Sequence, residues 1–294
     1  MSKLIDNIQK SDSEILADYC TFRVGGKAKL MLWPKNTEEI VDAISYCENE
    51  GMKYIVLGNG SNVLFLDEGF DGVVIELHRN ITGIEINGEN IYVAAGEFLS
   101  SAANKAKENE LTGMEFAAGI PGTLGGAIVM NAGAYGGEMK DIVEYVDVID
   151  PDKKLHRYSC EEMQFGYRKS IISDKHIVIG AMLKLKKGNL TDICDRMKEL
   201  QDARRSKQPL EYPSAGSTFK RPEGHFAGKL IEDSGLKGYR VGGAMVSEKH
   251  CGFVINCGDA KASDIRRLMQ EVSEEVEKQF GVTLEPEVKM IGEF

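Results

Sequence analysis

Apolar positions in this chain change their spacing several times, and each change predicts an element. Over residues 37–50, Ile40, Ala43, Ile44 and Cys47 recur at helical spacing behind Thr37, a hydroxyl suited to an N-cap, and Gly51 fits the stop. Residues 53–57, KYIVL, are a short apolar run that predicts a buried strand, and 72–77, GVVIEL, predict another. Loose alternation over 21–33, closed by Pro34, predicts a strand ahead of both, and the residues up to about 18 read as an amphipathic lead-in. Further on, Ile84, Ile86, Ile91 and Val93 flank Asn87-Gly88, a strong hairpin signal. Residues 98–111 read as an alanine-rich helix, 143–149 alternate before the turn DPDK, and SCEE at 159–162 is a capping box that predicts a short helix. A long strand is expected over 176–185.

The remainder begins with a helix over 190–206, with Ile193, Met197 and Leu200 on one face, broken by QPLEYP at 208–213. A helix near 226–233 and strands near 240–246 and 252–256 follow. A long helix over 263–280 presents Ile265, Leu268, Met269, Val272 and Val276 on one face and stops at Gly281. A final strand over 283–291 carries Glu287. These shifts divide the chain into blocks at 1–79, 80–188 and 189–283, with a closing strand at 284–294. The expected class is α+β.

Composition narrows the choice of partners. The 294 residues carry a formal net charge of −10, with 28% charged and 42% hydrophobic residues. That balance suits a globular protein and disfavours binding to nucleic acid or to an anionic membrane. No apolar run approaches the ~18 residues of a membrane span, and the polar, acidic N-terminus is unlike a secretory signal. The expected location is therefore cytoplasmic. The six cysteines are scattered without Cys-x-x-Cys and the five histidines lack ligand spacing, so free thiols and no metal are expected. Charge is uneven: between Arg204 and Lys249 nine Lys/Arg face five Asp/Glu. This local excess of positive charge suits an anionic ligand, or reflects solvated faces alone.

Two glycine-bearing loops carry the candidate chemistry. The stretch from Gly113 to Gly137, GMEFAAGIPGTLGGAIVMNAGAYGG, has seven glycines from Gly119 onward and no Lys, Arg, His or Asp. Such density implies close approach of backbone to something else. It reads either as a close-packed turn or as a cradle whose bare N–H groups hold an anion, with 128–130 opening a helix beside it. The second loop, GNGSNV at 58–63, follows the 53–57 strand but has Val63 where a dinucleotide fingerprint needs its third glycine, and no helix pattern comes after it. A Rossmann domain is disfavoured, and another way of holding a pyrophosphate is favoured.

Together with TFRVGG at 21–26, FGYR at 165–168, AGSTFK at 215–220 and LEPEV at 284–288, the two loops resemble the MurB family, the UDP-N-acetylenolpyruvoylglucosamine reductases of bacterial peptidoglycan synthesis. The motifs occur in family order from about Cys20 to Gly292. The resemblance implies a two-lobed FAD-binding region of the PCMH/vanillyl-alcohol-oxidase type, lobes 1–79 and 80–188, followed by a C-terminal α+β substrate domain. It implies non-covalent FAD, NADPH as hydride donor and a UDP-sugar substrate whose enolpyruvyl ether is reduced. Only 49 positions separate Arg168 from Ser217, which suits the shorter, type II-like subtype.

By resemblance Ser217 donates a proton to the carbanionic carbon, Arg168 supports the substrate carboxylate as it becomes an enolate, and Glu287 is the catalytic glutamate. Read from the residues alone, Ser217 could equally bond its own loop, Arg168 could form a surface ion pair, and Glu287 could face solvent from an edge strand. The flanking apolar residues make a raised Glu287 pKa the expectation. For FAD the family pattern implicates Arg23, then Gly58, Asn59, Gly60, Ser61 and Asn62, and then Gly122, Thr123, Gly125, Gly126, Asn131, Ala132, Gly133 and Ala134. Lys220 and Arg221 are the substrate-binding candidates. Two other readings stay open at this point: a flavin oxidase of the same fold acting on an alcohol or sugar, and a nucleotide-sugar binding module without catalysis.

Overall fold

A computed structural model describes residues 3–292. The chain forms two compact units that alternate along the sequence. The first comprises residues 3–11, Leu30–Asn59 and Gly72–Arg204; the second comprises Asp12–Lys29, Gly60–Asp71 and residues 205–292.

The first unit holds two sheets over one core. The smaller sheet has the order Gln9–Ser11, Ala28–Trp33, Phe70–Glu76, Tyr54–Leu57, with the last two strands parallel and Leu57 opposite Glu76. Helix Thr37–Asn49 packs on it through buried Ile40, Ala43, Ile44 and Cys47. The cap lies one residue before the expected Thr37: the Asn36 side chain accepts from the Glu39 N–H at 2.9 Å, and the Glu39 carboxylate accepts from the Lys35 N–H. The larger sheet is antiparallel, in the order Leu155–Ser159, Val143–Ile149, Ile177–Lys184, Asn90–Ala94, Ile84–Asn87. Its hairpin turns on Gly88 and Glu89, between the facing pair Asn87 and Asn90, with Gly88 at φ 64°. Helix Leu99–Glu108 buries Leu99, Ala102, Ala103 and Ala106 and packs against the 3-10 turn Glu115–Gly119 and the short strand Leu111–Thr112.

In the second unit a three-stranded antiparallel sheet, Arg240–Val241, Ala244–Val246 and Val254–Asn256, carries the helix Ala262–Phe280. The helix buries the five residues its spacing predicts and ends at Gly281, which takes the left-handed conformation at φ 68°. Its first turn is held from far along the chain. The Asp67 carboxylate accepts from the N–H groups of Ala262 (2.6 Å) and Ser263 (3.1 Å) and from the Ser263 hydroxyl (2.9 Å). Burial opposes ionisation of Asp67, but these hydrogen bonds outweigh it and lower its pKa.

Several boundaries differ from expectation. The strand expected over 21–33 begins only at Ala28, because 21–27 run as turn and loop. The lead-in is not one helix: it contains the short 3-10 turns Lys3–Ile5 and Leu16–Tyr19 and the strand Gln9–Ser11. At 159–162 the capping-box hydrogen bonds form, Ser159 N–H to the Glu162 carboxylate and Glu162 N–H to the Ser159 hydroxyl, but they close a turn and no helix follows. The expected final strand is reduced to Lys289–Ile291, which runs parallel to Val63–Phe65. No helix among the described residues is long and apolar enough to cross a membrane.

Candidate active site

In the first unit the glycine stretch folds back on itself. Its helix is Leu124–Val129, so Ile128 and Val129 end this helix rather than begin one. The Leu124 and Gly125 N–H groups already donate to the carbonyls of Glu97 and Ala95. Gly133–Ala134 pairs with Gly137–Glu138 in a tight hairpin whose tip, Tyr135 and Gly136, sits at φ 53° and 89°. Gly58 lies against Thr123, where any Cβ would collide with the threonine hydroxyl, and the Asn59 side chain donates to the Pro121 carbonyl. The structure therefore brings Gly58 and Asn59 to the 121–123 turn. Gly126 alone among the helical glycines has open space, its nearest neighbour being Thr123 Oγ1 at 3.9 Å from an ideal Cβ.

Asn131, fully buried at φ 43°, organises the surroundings. Its amide donates to the Glu138 carboxylate and to the Gly166 carbonyl (3.1 Å), and its oxygen accepts from the Lys140 N–H (2.9 Å). All of its polar capacity toward those partners goes into joining the hairpin to the loop that carries Arg168. In that loop Gly166 and Lys169 exchange both backbone hydrogen bonds, leaving Tyr167 and Arg168 at the tip of a two-residue turn. Arg168 is held at φ 55°, a left-handed conformation uncommon for a branched or long side chain and found preferentially at functional positions. Its guanidinium lies 5.3 Å from the Tyr167 ring centroid.

The second unit gathers the other predicted residues. Phe219 bridges Pro286 in antiparallel fashion; Glu287 N–H donates to the Thr218 carbonyl (2.8 Å) and Lys220 N–H to the Glu285 carbonyl (2.8 Å). Ser217 is thus one residue from the hydrogen-bonded partner of Glu287. The Asn62 side chain donates to the Glu287 carbonyl (3.0 Å), and the Lys289 N–H donates back to the Asn62 carbonyl. The segments of Asn62, Thr218, Lys220 and Glu287 are therefore joined by hydrogen bonds, and Ser217 is the chain neighbour of Thr218. Ser217 is exposed while its neighbour Thr218 is fully buried, with its hydroxyl accepting from the Val254 N–H and its own N–H donating to the Gly252 carbonyl. Burying Thr218 fixes the backbone that presents the serine. Lys220 pairs with the Glu285 carboxylate at 2.9 Å on the surface, while the Arg221 guanidinium sits 4.0 Å from the Phe226 ring centroid. Arg23 is exposed at φ 55°, on a turn pinned by Asn256, whose buried amide donates to the Phe22 carbonyl.

Two further residues, not among the sequence candidates, meet these loops. Thr21 N–H donates to the Gly60 carbonyl, and the Thr21 hydroxyl is buried without a hydrogen-bond partner. Beside it, among the described residues, the Gly60 and Ser61 N–H groups have no acceptor. Gly60 itself is pressed against Tyr19 and Cys20, so no side chain fits there. Buried donors without partners are rare unless a ligand or water meets them. A hydroxyl and two amides with no anion of their own suit the phosphate oxygens of a dinucleotide, so these residues fit FAD. The second is Arg204, which continues the face of Ile193, Met197 and Leu200 at helical spacing and lies against Gly119. The apolar stripe pointed to its position, though not to its purpose.

Residues 28–159 match the FAD binding domain, and residues 208–291 match the C-terminal domain of UDP-N-acetylenolpyruvoylglucosamine reductase. A UDP-N-acetylenolpyruvoylglucosamine reductase of Caldanaerobacter subterraneus subsp. tengcongensis is 49% identical over 96% of this chain and 93% of its own length. One of Clostridioides difficile is 48% identical over 99% and 97%. The crystal structure of MurB from Thermus caldophilus superposes with a TM-score of 0.84 at 39% identity, covering 97% of this chain and 99% of that one. The α+β architecture with an FAD-binding region, expected from the motifs, is the fold the chain has. A chain matched over nearly its whole length by such relatives belongs to the UDP-N-acetylenolpyruvoylglucosamine reductase family and is an oxidoreductase built around an FAD-binding domain.

Proposed function

We propose that the chain catalyses the FAD-dependent, NADPH-consuming reduction of UDP-N-acetylglucosamine enolpyruvate to UDP-N-acetylmuramate, a cytoplasmic step of peptidoglycan precursor synthesis. The observation that carries this reading is the pairing of the Ser217–Lys220 segment with the Glu285–Glu287 segment and Asn62. It gives a family member an exposed hydroxyl on a backbone that is hydrogen-bonded to the Glu287 segment, which in turn is bonded to the Asn62 loop.

When bound, FAD supplies the hydride chemistry, with NADPH as reductant. Thr21, Gly58, Asn59, Gly60, Ser61 and the 122–134 stretch are the residues that would hold it. Reduction of an enol ether conjugated to a carboxylate leaves negative charge on the carbon next to the new C–H bond and on the carboxylate oxygens. Arg168, a permanent cation with a planar fork, supports the carboxylate. The Ser217 hydroxyl donates its proton to that carbon, completing the saturated lactyl ether. Glu287 in its protonated form donates a hydrogen bond to the developing enolate. Lys220 and Arg221 hold the diphosphate of the UDP-sugar; the surface pair of Lys220 with Glu285 is worth only about 0–1 kcal/mol, so the ammonium exchanges partners readily.

The test is direct. The purified protein is examined for a flavin spectrum, then given NADPH with and without the enolpyruvyl UDP-sugar in the absence of oxygen. NADPH oxidation equal to the UDP-N-acetylmuramate formed supports the reading; oxidation that proceeds only with dioxygen would place the chain with the oxidases, and a colourless protein that neither takes up added FAD nor oxidises NADPH with the UDP-sugar would leave a binding module.

A further inference from the structure

Arg204 stands at the last position of the first unit, on the helix Leu190–Lys207, and more of it is enclosed than exposed. Among the described residues its guanidinium has no hydrogen-bond or ion-pair partner. A cation in that position ordinarily has a carboxylate against it, because taking a charge out of water without one is costly. Here burial disfavours the charged form, and the one nearby group acting on it electrostatically is the Tyr135 phenol. What it touches is the glycine stretch. An ideal Cβ on Gly119 would lie 3.1 Å from Arg204 Nη1 and 3.2 Å from Cδ. Two residues beyond Gly119, the Pro121 carbonyl is held by the Asn59 side chain, and Tyr135 is the tip of the Gly133–Glu138 hairpin. The arginine therefore lies against a stretch that has no Lys, Arg or His of its own, in a chain of net charge −10.

We propose that Arg204 supplies the countercharge for a diphosphate held along the glycine stretch. The fork offers several N–H donors to paired phosphate oxygens, and the absence of a carboxylate keeps them available. Two ligands of the proposed reaction contain a diphosphate, FAD and the UDP-sugar. The position of Gly119 beside the 121–134 cofactor residues favours FAD. This inference rests on the reading of those residues as the cofactor loop.

Apo-protein of the wild type, Arg204→Gln and Arg204→Lys is titrated with FAD, with riboflavin, which lacks the diphosphate, and with UDP. Flavin fluorescence and calorimetry give the affinities, and circular dichroism checks folding. A charge-assisted phosphate contact predicts a loss of FAD affinity of about tenfold to a hundredfold in Arg204→Gln, partial recovery in Arg204→Lys and unchanged riboflavin binding. A loss for UDP with FAD unchanged would also support a diphosphate role and assign it to the substrate. Equal affinities for all three ligands in wild type and variant would overturn the inference, and so would an equal loss for riboflavin and FAD, which marks a structural residue. Should Arg204→Gln not fold, Arg204→Lys decides: wild-type FAD affinity with a fork removed contradicts a bidentate contact. If the wild type itself takes up no FAD, it is the reading of the loop that fails.

Discussion

Arg168 shows how much conformation one residue can be made to hold. In the left-handed region an L side chain costs about 1–2 kcal/mol relative to ordinary backbone, and glycine is the usual occupant. Arg168→Gly removes that strain but adds unfolded-state freedom of similar size, so the two nearly cancel. The variant is expected to unfold within about 0.5 kcal/mol of the wild type in a denaturant titration while its turnover collapses. A variant that keeps wild-type turnover would show the side chain to be dispensable. The glycines follow the opposite logic. At Gly58, Gly60, Gly133 and Gly137 the space for a side chain is already taken by Thr123, by Tyr19 and Cys20, by the facing hairpin strand and by Phe116. Of the two sequence readings of the stretch, these contacts show the close-packed turn.

Elements were legible where apolar spacing alone decides them. The helices Thr37–Asn49 and Ala262–Phe280 and the central strands of the larger sheet follow their buried positions closely. Legibility failed where tertiary partners override local signals. The helix Leu124–Val129 starts at Leu124 because Glu97 and Ala95 take its first N–H groups, an interaction from outside the window that spacing examines. The capping box at 159–162 makes its bonds but leads into a turn that returns to Gly166 and Arg168, where apolar periodicity is absent. Asp67 was unreadable as a cap because its helix begins 195 residues later. Its carboxylate pKa is lowered in the fold, so its contribution is present above the unfolded value near 4 and is lost as pH falls through the lower folded value. Asp67→Asn is expected to reduce stability by about 1 kcal/mol at pH 7, the scale of a helix cap, with the difference from wild type shrinking in acid. Denaturant midpoints measured at pH 7 and pH 3 check this; a difference that persists unchanged at pH 3 would show that the charge is not what holds the helix.

At the scale of the whole molecule, the sequence motifs announced segments that the chain distributes over two units. The loop Gly58–Asn62 has its first two residues in one unit and its last three in the other. The C-terminal segment returns to pair with Val63–Phe65 and with Phe219. No periodicity could predict that return, since Glu287 and Asn62 are 225 residues apart. What did carry over was the order of short motifs, which marked the segments of Ser217, Glu287 and Asn62 that the backbone joins. The supporting residues Thr21, Thr218 and Asn256 left little trace in hydropathy, because they act through polar contacts that apolar spacing does not register.

The account turns on proton delivery from Ser217, held in place by buried Thr218 beside Glu287. Stopped-flow absorbance at the flavin band separates the two halves of the reaction in Ser217→Ala under anaerobic conditions. The expected result is reduction by NADPH at the wild-type rate, followed by reoxidation by the enolpyruvyl UDP-sugar slowed by about 10²–10⁴-fold, the range of a lost proton donor. Reoxidation at the wild-type rate in that variant would contradict the assignment.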